Sequence, residues 1–238
     1  WQQERNFHSK NKRDLVPNRF RDWELLRYWF RSVEKFAPWV NKIHFVTYGH
    51  LPSFLDITHP KLNIVQHSDY LNDSYLPTFN SNTIELSMHK IPNLTEHFVY
   101  FNDDIFLIKP VEIEDFFENG LPKDVAILNP ISANRYDSIA SVMLNNMGVI
   151  NQNFNFKNTV KKNIRKWMNF KYGKLLLLNL LFMPWKNAIG LYQQHLPSSF
   201  SKSLLEEVWS KEYDLLHQTS LQKFRNDKLG INQWLFKE

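Results

Sequence analysis

The chain of 238 residues contains no cysteine, which removes disulfides, thiolate metal sites and a cysteine nucleophile together. That fits a reducing compartment. Glycine is sparse, at 6 residues, beside 11 prolines, and no stretch reads as a linker, a repeat or a low-complexity segment. No apolar run reaches the roughly 18 residues that would cross a bilayer. The longest, LLLLNLLFMPW from Leu175 to Trp185, is broken by Asn179 and Pro184. Also missing are a Gly-rich phosphate loop of the P-loop or dinucleotide type, a G-x-S-x-G elbow, a two-His zinc signature and an RNA-reading motif, so those classes are disfavoured. There is no signal peptide, and the first residue is Trp1 rather than Met, so the chain reads as an excised piece.

Negative charge is missing over one long stretch. Between Asp137 and Glu206 there is no acid, while residues 138–205 hold Lys157, Lys161, Lys162, Arg165, Lys166, Lys171, Lys174, Lys186 and Lys202. The overall charge of +5 therefore hides a basic block set in an otherwise acidic chain. A one-signed block suits polyanions: phosphates, anionic lipid or nucleic acid; it is also what a plain solvated helix face looks like.

What is present is globular. Hydrophobic residues make up 43% and aromatics 15%, enough for one substantial core with or without a helical appendage. DWELLRYWFRSVEKF (22–36) has helical apolar spacing, with Asp22 placed as N-cap and Pro38 past its end. Arg27 and Arg31 lie four apart on one face of it. KIHFVTYG, LNIVQ (62–66), HFVYF (97–101) and DVAILNP (124–130) read as strands, and SNTIELSMHKI (81–91) as a helix capped by Asn80 or Ser81. From about residue 138 the pattern is almost wholly helical, over 138–150, 155–170, 174–183 and 201–217. These segments predict an α/β fold: a Rossmann-like sheet covered on both faces in 1–137, then a mostly helical half in 138–238, as one catalytic unit.

The strongest chemical signal is Asn102-Asp103-Asp104 at the carboxyl end of an apolar strand, where ligands of open α/β sheets bind. Two carboxylates there suit a divalent cation bridging a diphosphate, though Asp and Asn also serve as plain turn residues. Glu85, the lone acid of its helix, His195 before Leu196-Pro197, and Arg225 in LQKFRND have no preference from spacing alone.

Longer blocks are more specific. The segments RFRDWELLRYWFRSVEKFAPWVNKIHFVTYGHLP (19–52), LPTFNSNTIELSMHKIPNLTEHF (76–98), VYFNDDIFLIKPV (99–111), HLPSSFSKSLLEEV (195–208) and TSLQKFRND (219–227) together resemble the Stealth family. Its members include bacterial capsule and receptor-polysaccharide phosphotransferases and the animal enzyme that places N-acetylglucosamine-1-phosphate on lysosomal glycoproteins. The resemblance covers about half of the chain, and the family's first region, a strand ending in a Trp-Val-Asp/Asn-Gly-type turn, has no counterpart in it.

The resemblance implies a glycosyltransferase-type fold and a sugar-1-phosphate transferase. An acceptor sugar hydroxyl attacks the β-phosphorus of a UDP-sugar, an N-acetylhexosamine donor by preference, and UMP leaves. It implies catalytic roles for Glu85, Asp104, His195 and Arg225, with Mg²⁺ or Mn²⁺ at Asp103 and Asp104. His195 stands as general base or as covalent nucleophile. Glu85 orients it, holds the metal or fixes a sugar hydroxyl. Asn102, Arg27, Arg31, Asn80 and Ser81 are assigned to the donor. The implied partners are a UDP-sugar and an oligosaccharide or polysaccharide acceptor, with no nucleic acid. The implied place is the bacterial cytoplasm, with peripheral contact to an anionic membrane through Lys157–Trp185, where a cationic run adjoins an apolar one; a core helix is the competing reading of that segment. A metal-dependent glycosyltransferase releasing UDP and a non-enzymatic polyanion-binding module are the alternatives.

Overall fold

A computed structural model describes residues 24–133, 139–226, 228 and 230–237. In chain order its helices are α1 (Leu26–Phe36), α2 (Ser81–Leu86), α3 (Ile113–Phe116), α4 (Ile139–Asn153), α5 (Phe156–Lys162), α6 (Ile164–Trp167), α7 (Leu176–Phe182), α8 (Lys202–Lys211) and α9 (Tyr213–Ser220). Its strands are β1 (Ile43–Thr47), β2 (Leu62–Gln66), β3 (His97–Tyr100), β4 (Phe117–Glu118), β5 (Leu121–Pro122) and β6 (Ser198–Ser201). The protein is therefore mixed α/β, with its helices concentrated after residue 138.

The sheet differs from the expected one. Among the described residues the strands form three two-stranded ladders: β1–β2 parallel, β3–β6 antiparallel and β4–β5 antiparallel. β6 was invisible in the sequence because SSFS has neither a β-branched run nor a clean alternation. Its burial comes from context: all four residues are buried, and Phe200 packs its ring against Phe98.

The expected strand at 124–130 is also absent, apart from one bridge between Leu128 and Leu191. Side chains satisfy much of its backbone instead. Leu128 N donates to Asn179 Oδ1 at 2.7 Å, Asn179 Nδ2 donates to the Ala126 carbonyl at 2.7 Å, and Ala126 N donates to the Tyr172 hydroxyl at 3.1 Å. Backbone pairing is left to the Asn129 N–H, which donates to the Gly190 carbonyl at 3.0 Å, and the Ile127 carbonyl, which accepts from Tyr192 N at 2.8 Å.

The remaining departures are breaks in predicted helices. The 155–170 helix splits at Asn163, and the 201–217 helix splits at Glu212. The helix expected at 81–91 closes at Leu86 and continues as a 3₁₀ turn over Met88–Lys90. The first helix runs from Leu26 to Phe36, and the Asp22 cap lies outside the described residues.

The main core joins residues far apart in sequence. Leu86, Met88 and Ile91 pack with Phe200, Leu205, Trp209, Leu216 and Ile231. The Trp209 indole N–H donates to the Leu86 carbonyl at 2.7 Å, so this aromatic anchor buries no unpaired donor. A second cluster, built on Leu128, Met147, Phe156, Val160 and Trp167, lies under the basic block.

Candidate active site

Antiparallel pairing builds the site. In the β3–β6 register Tyr100 faces Ser198, so the chain leaving β3 through Asn102–Asp104 runs beside the chain entering β6 through His195. His195 Nε2 lies 3.3 Å from Asp104 Oδ1 and 3.5 Å from Asn102 Nδ2. If Nε2 carries the proton it donates to the Asp104 carboxylate, and Nδ1 keeps a free lone pair. Both side chains are mostly solvent-exposed, at 61% and 67%.

Behind this pair stands a tyrosine that the sequence reading did not select. The Tyr100 hydroxyl lies 2.6 Å from Asn102 Oδ1 and 3.1 Å from Glu85 Oε1. A phenol has one proton, so it cannot donate to both oxygens at once. The conflict disappears when Glu85 is protonated: Glu85 donates to Tyr100, and Tyr100 donates to Asn102. Burial favours that state, pushing Glu85 up to about 7 against the opposing pull of Arg225 and hydrogen bonds from Tyr100 and Ser81. Burial and the nearby Glu85 also hold the Tyr100 phenol well above its usual range.

Arg225 approaches from the other side. Its guanidinium donates to the Ser81 hydroxyl in the first turn of α2, one turn before Glu85. The aromatic pair Phe79–Phe224, stacked at 5.2 Å, and the bond from Phe79 N to the Lys223 carbonyl hold this segment on α2. Ser81, Glu85, Tyr100, Asn102, Asp103 and Arg225 share the wall of one cavity of about 1150 Å³. The rest of that wall is largely apolar, with Trp29 and Val33 from α1, Phe45 from β1 and Phe98 from β3.

Three residues assigned to the donor sit elsewhere or are otherwise engaged. Arg27 and Arg31 do not line the cavity; Arg27 lies over the Phe54 ring at 5.1 Å, and α1 turns Leu26, Trp29 and Val33 inward instead. Asn80 is only 1% exposed. Its Oδ1 accepts from Asn82 N at 3.1 Å, and its Nδ2 donates to the Gln222 carbonyl at 3.2 Å. That makes it the α2 cap and a tie to the C-terminal segment.

The donors at Asp103 and Asp104 are hard carboxylate oxygens on exposed side chains. Among the described residues no group of three or more His, Cys, Asp or Glu is placed to cage a metal ion. The set fits an ion of the Mg²⁺ type, which takes one or two carboxylates and completes its shell with water and substrate phosphate.

Fold and site thus define a mixed α/β protein with a polar, charge-bearing cluster of distant residues at one cavity wall. The sequence model described as "Stealth protein CR2, conserved region 2" matches residues 19–124. The capsular polysaccharide phosphotransferase WcwK of Streptococcus pneumoniae is 49% identical over 219 residues, 92% of this chain and 65% of its own. The receptor polysaccharide phosphotransferase WefC of Streptococcus gordonii is 46% identical over 92% of this chain and 65% of its own. The exopolysaccharide phosphotransferase cps2G of Lactiplantibacillus plantarum is 40% identical over 95% and 67%. The chain belongs to the Stealth family. It spans 65% of the length of the WcwK relative.

Proposed function

We propose that the protein transfers hexose-1-phosphate from a UDP-sugar to a hydroxyl of an oligosaccharide or polysaccharide acceptor, releasing UMP, in the synthesis of a capsular or other cell-surface polysaccharide. The observation that carries this reading is the convergence of Glu85, Arg225, Asn102 and Asp103 on one cavity wall, with the exposed His195–Asp104 pair beside Asn102, although 140 residues separate Glu85 from Arg225. The names of the relatives supply the reaction class.

Each group has a chemical task. The acceptor oxygen attacks the β-phosphorus, the bond from that phosphorus to the bridging oxygen breaks, and UMP departs with that oxygen. His195, held by Asp104, takes the proton of the attacking hydroxyl. Arg225 offers a planar fork to the non-bridging oxygens of the phosphoryl group in transit. Phosphoryl transfer is governed by positioning and charge neutralisation, and such a fork supplies both. Asp103 and Asp104 would hold a Mg²⁺ or Mn²⁺ ion, which when bound neutralises charge on the diphosphate. Glu85, linked through Tyr100 to Asn102, fixes the amide beside His195. The parallel β1–β2 pair next to the cavity is the part of the fold that supports a Rossmann-like placement of the nucleotide.

Incubation with a panel of UDP-sugars and an acceptor glycan distinguishes the outcomes by the nucleotide released. UMP is expected. UDP would make the protein a glycosyltransferase, and release of neither nucleotide would remove the transferase reading.

A further inference from the structure

The strongest feature outside the catalytic cluster is α7, whose polarity is inverted. Asn179, the polar residue of this helix, is 0% exposed. It accepts from Leu128 N and donates to the carbonyls of Ala126 and Trp167, at 2.7, 2.7 and 2.6 Å. Three of its five leucines face outward: Leu177, Leu180 and Leu181 are 65%, 51% and 60% exposed, while Leu176 and Leu178 are half-buried. The spacing of the exposed three, at three and four residues, puts them on one stripe. A helix on the surface of a water-soluble protein normally does the reverse. Phe170, in the preceding turn, is 89% exposed, and Trp185, just past the helix, is 51% exposed.

The chain on either side of these side chains is cationic, and Arg165 and Lys171 share a shallow surface pocket with Phe170. Arg165, Lys166, Lys171, Lys174 and Lys186 are all exposed, and there is no acid in the sequence between Asp137 and Glu206.

We propose that α7 and the turn before it form a docking surface for an anionic lipid bilayer, with Phe170, Leu177, Leu181 and Trp185 entering the headgroup–acyl boundary and the lysines among the headgroups. A partner that is both apolar and negative accounts for the whole surface. A second copy of the same face would bring cation against cation. A free polyanion would meet the lysines and leave the leucines and Phe170 in water. Lipid meets both, and long lysine side chains next to interfacial Trp and Phe are the usual chemistry of such contacts. No helix among the described residues is long and apolar enough to cross a membrane, so the contact proposed is peripheral. It does not depend on the transferase reading.

Flotation with vesicles tests this directly. The protein should float with vesicles of equal parts phosphatidylcholine and phosphatidylglycerol, and float less with phosphatidylcholine alone. Raising salt should release it. Lys166→Gln, Lys171→Gln and Lys174→Gln should each weaken partition about fivefold, the worth of one surface cation near an anionic leaflet. The triple change Phe170→Ser, Leu177→Ser and Leu181→Ser should weaken it more than tenfold at every salt concentration. These side chains are exposed, so the variants should melt with the wild type, and the melting curve confirms that lost binding is not lost folding. Protein that stays unbound on anionic vesicles at low salt overturns the proposal. So does binding that needs the lysines but ignores the three apolar changes, which would assign the surface to a free polyanion.

Discussion

His195 and Asp104 are 91 residues apart in the chain and 3.3 Å apart in the fold. If they act as base and orienting carboxylate, His195→Ala and Asp104→Asn should each lower turnover by roughly two orders of magnitude or more. The double variant should be little worse than either single one, since residues that act as a unit do not add. Initial rates of UMP release measure this, and near-wild-type turnover for His195→Ala would remove its assigned role.

Tyr100→Phe should lower kcat about tenfold with little change in KM for the donor. The change deletes the proton that fixes Asn102 Oδ1, at a cost of roughly 1.4 kcal/mol in the transition state. A larger effect on KM than on kcat would place Tyr100 in donor binding instead.

Glu85 makes stability depend on pH in a definite direction. Its folded pKa is raised by burial from 4.5 to about 7. The folded chain therefore keeps a proton that the unfolded chain has released. The contribution is full below about pH 4.5 and is lost progressively as pH rises towards 7. His44, His67 and His89 are lowered by burial and slope the opposite way, so the wild-type curve alone mixes the two effects. Urea midpoints of wild type and Glu85→Gln should diverge across that window in favour of the Gln variant. Parallel curves would contradict the protonated Glu85.

Asn179→Ala should destabilise the fold by about 2–5 kcal/mol, because it strands the Leu128 N–H and two buried carbonyls. Chemical denaturation checks it. Asn179→Leu should do no better, although it makes the helix more apolar.

A chelator should abolish activity, and Mg²⁺ or Mn²⁺ should restore it where Zn²⁺ does not, as expected of hard carboxylate donors. Full activity in excess chelator would leave Asp103 and Asp104 without a metal role.

Local pattern was read well where one residue's neighbours decide its state. LNIVQ is β2 at both ends, and the 81–91 segment opens with Asn80 as its cap. Prediction failed where distant residues decide. DVAILNP looks like a strand, yet Asn179 and Tyr172 take the polar groups of Ala126 and Leu128, and backbone pairing is limited to Ile127 and Asn129. SSFS carries no strand pattern, yet β3 supplies a ladder partner for each of its residues.

The sequence by itself determined the family and the mixed α/β class, and it supplied the candidate groups: Asn102, Asp103, Asp104, Glu85, His195 and Arg225. These are properties of residue type and of order along the chain. Only the tertiary structure decided that they meet, because contact between residues 91 apart depends on the antiparallel register of β3 and β6. It also brought in Tyr100, whose side chain has a task only once Glu85 and Asn102 are both within reach. It settled the face of α7 as well: an apolar run looks the same whichever way it is turned, and one buried asparagine with three hydrogen bonds fixes the face that leaves Leu177, Leu180 and Leu181 outside.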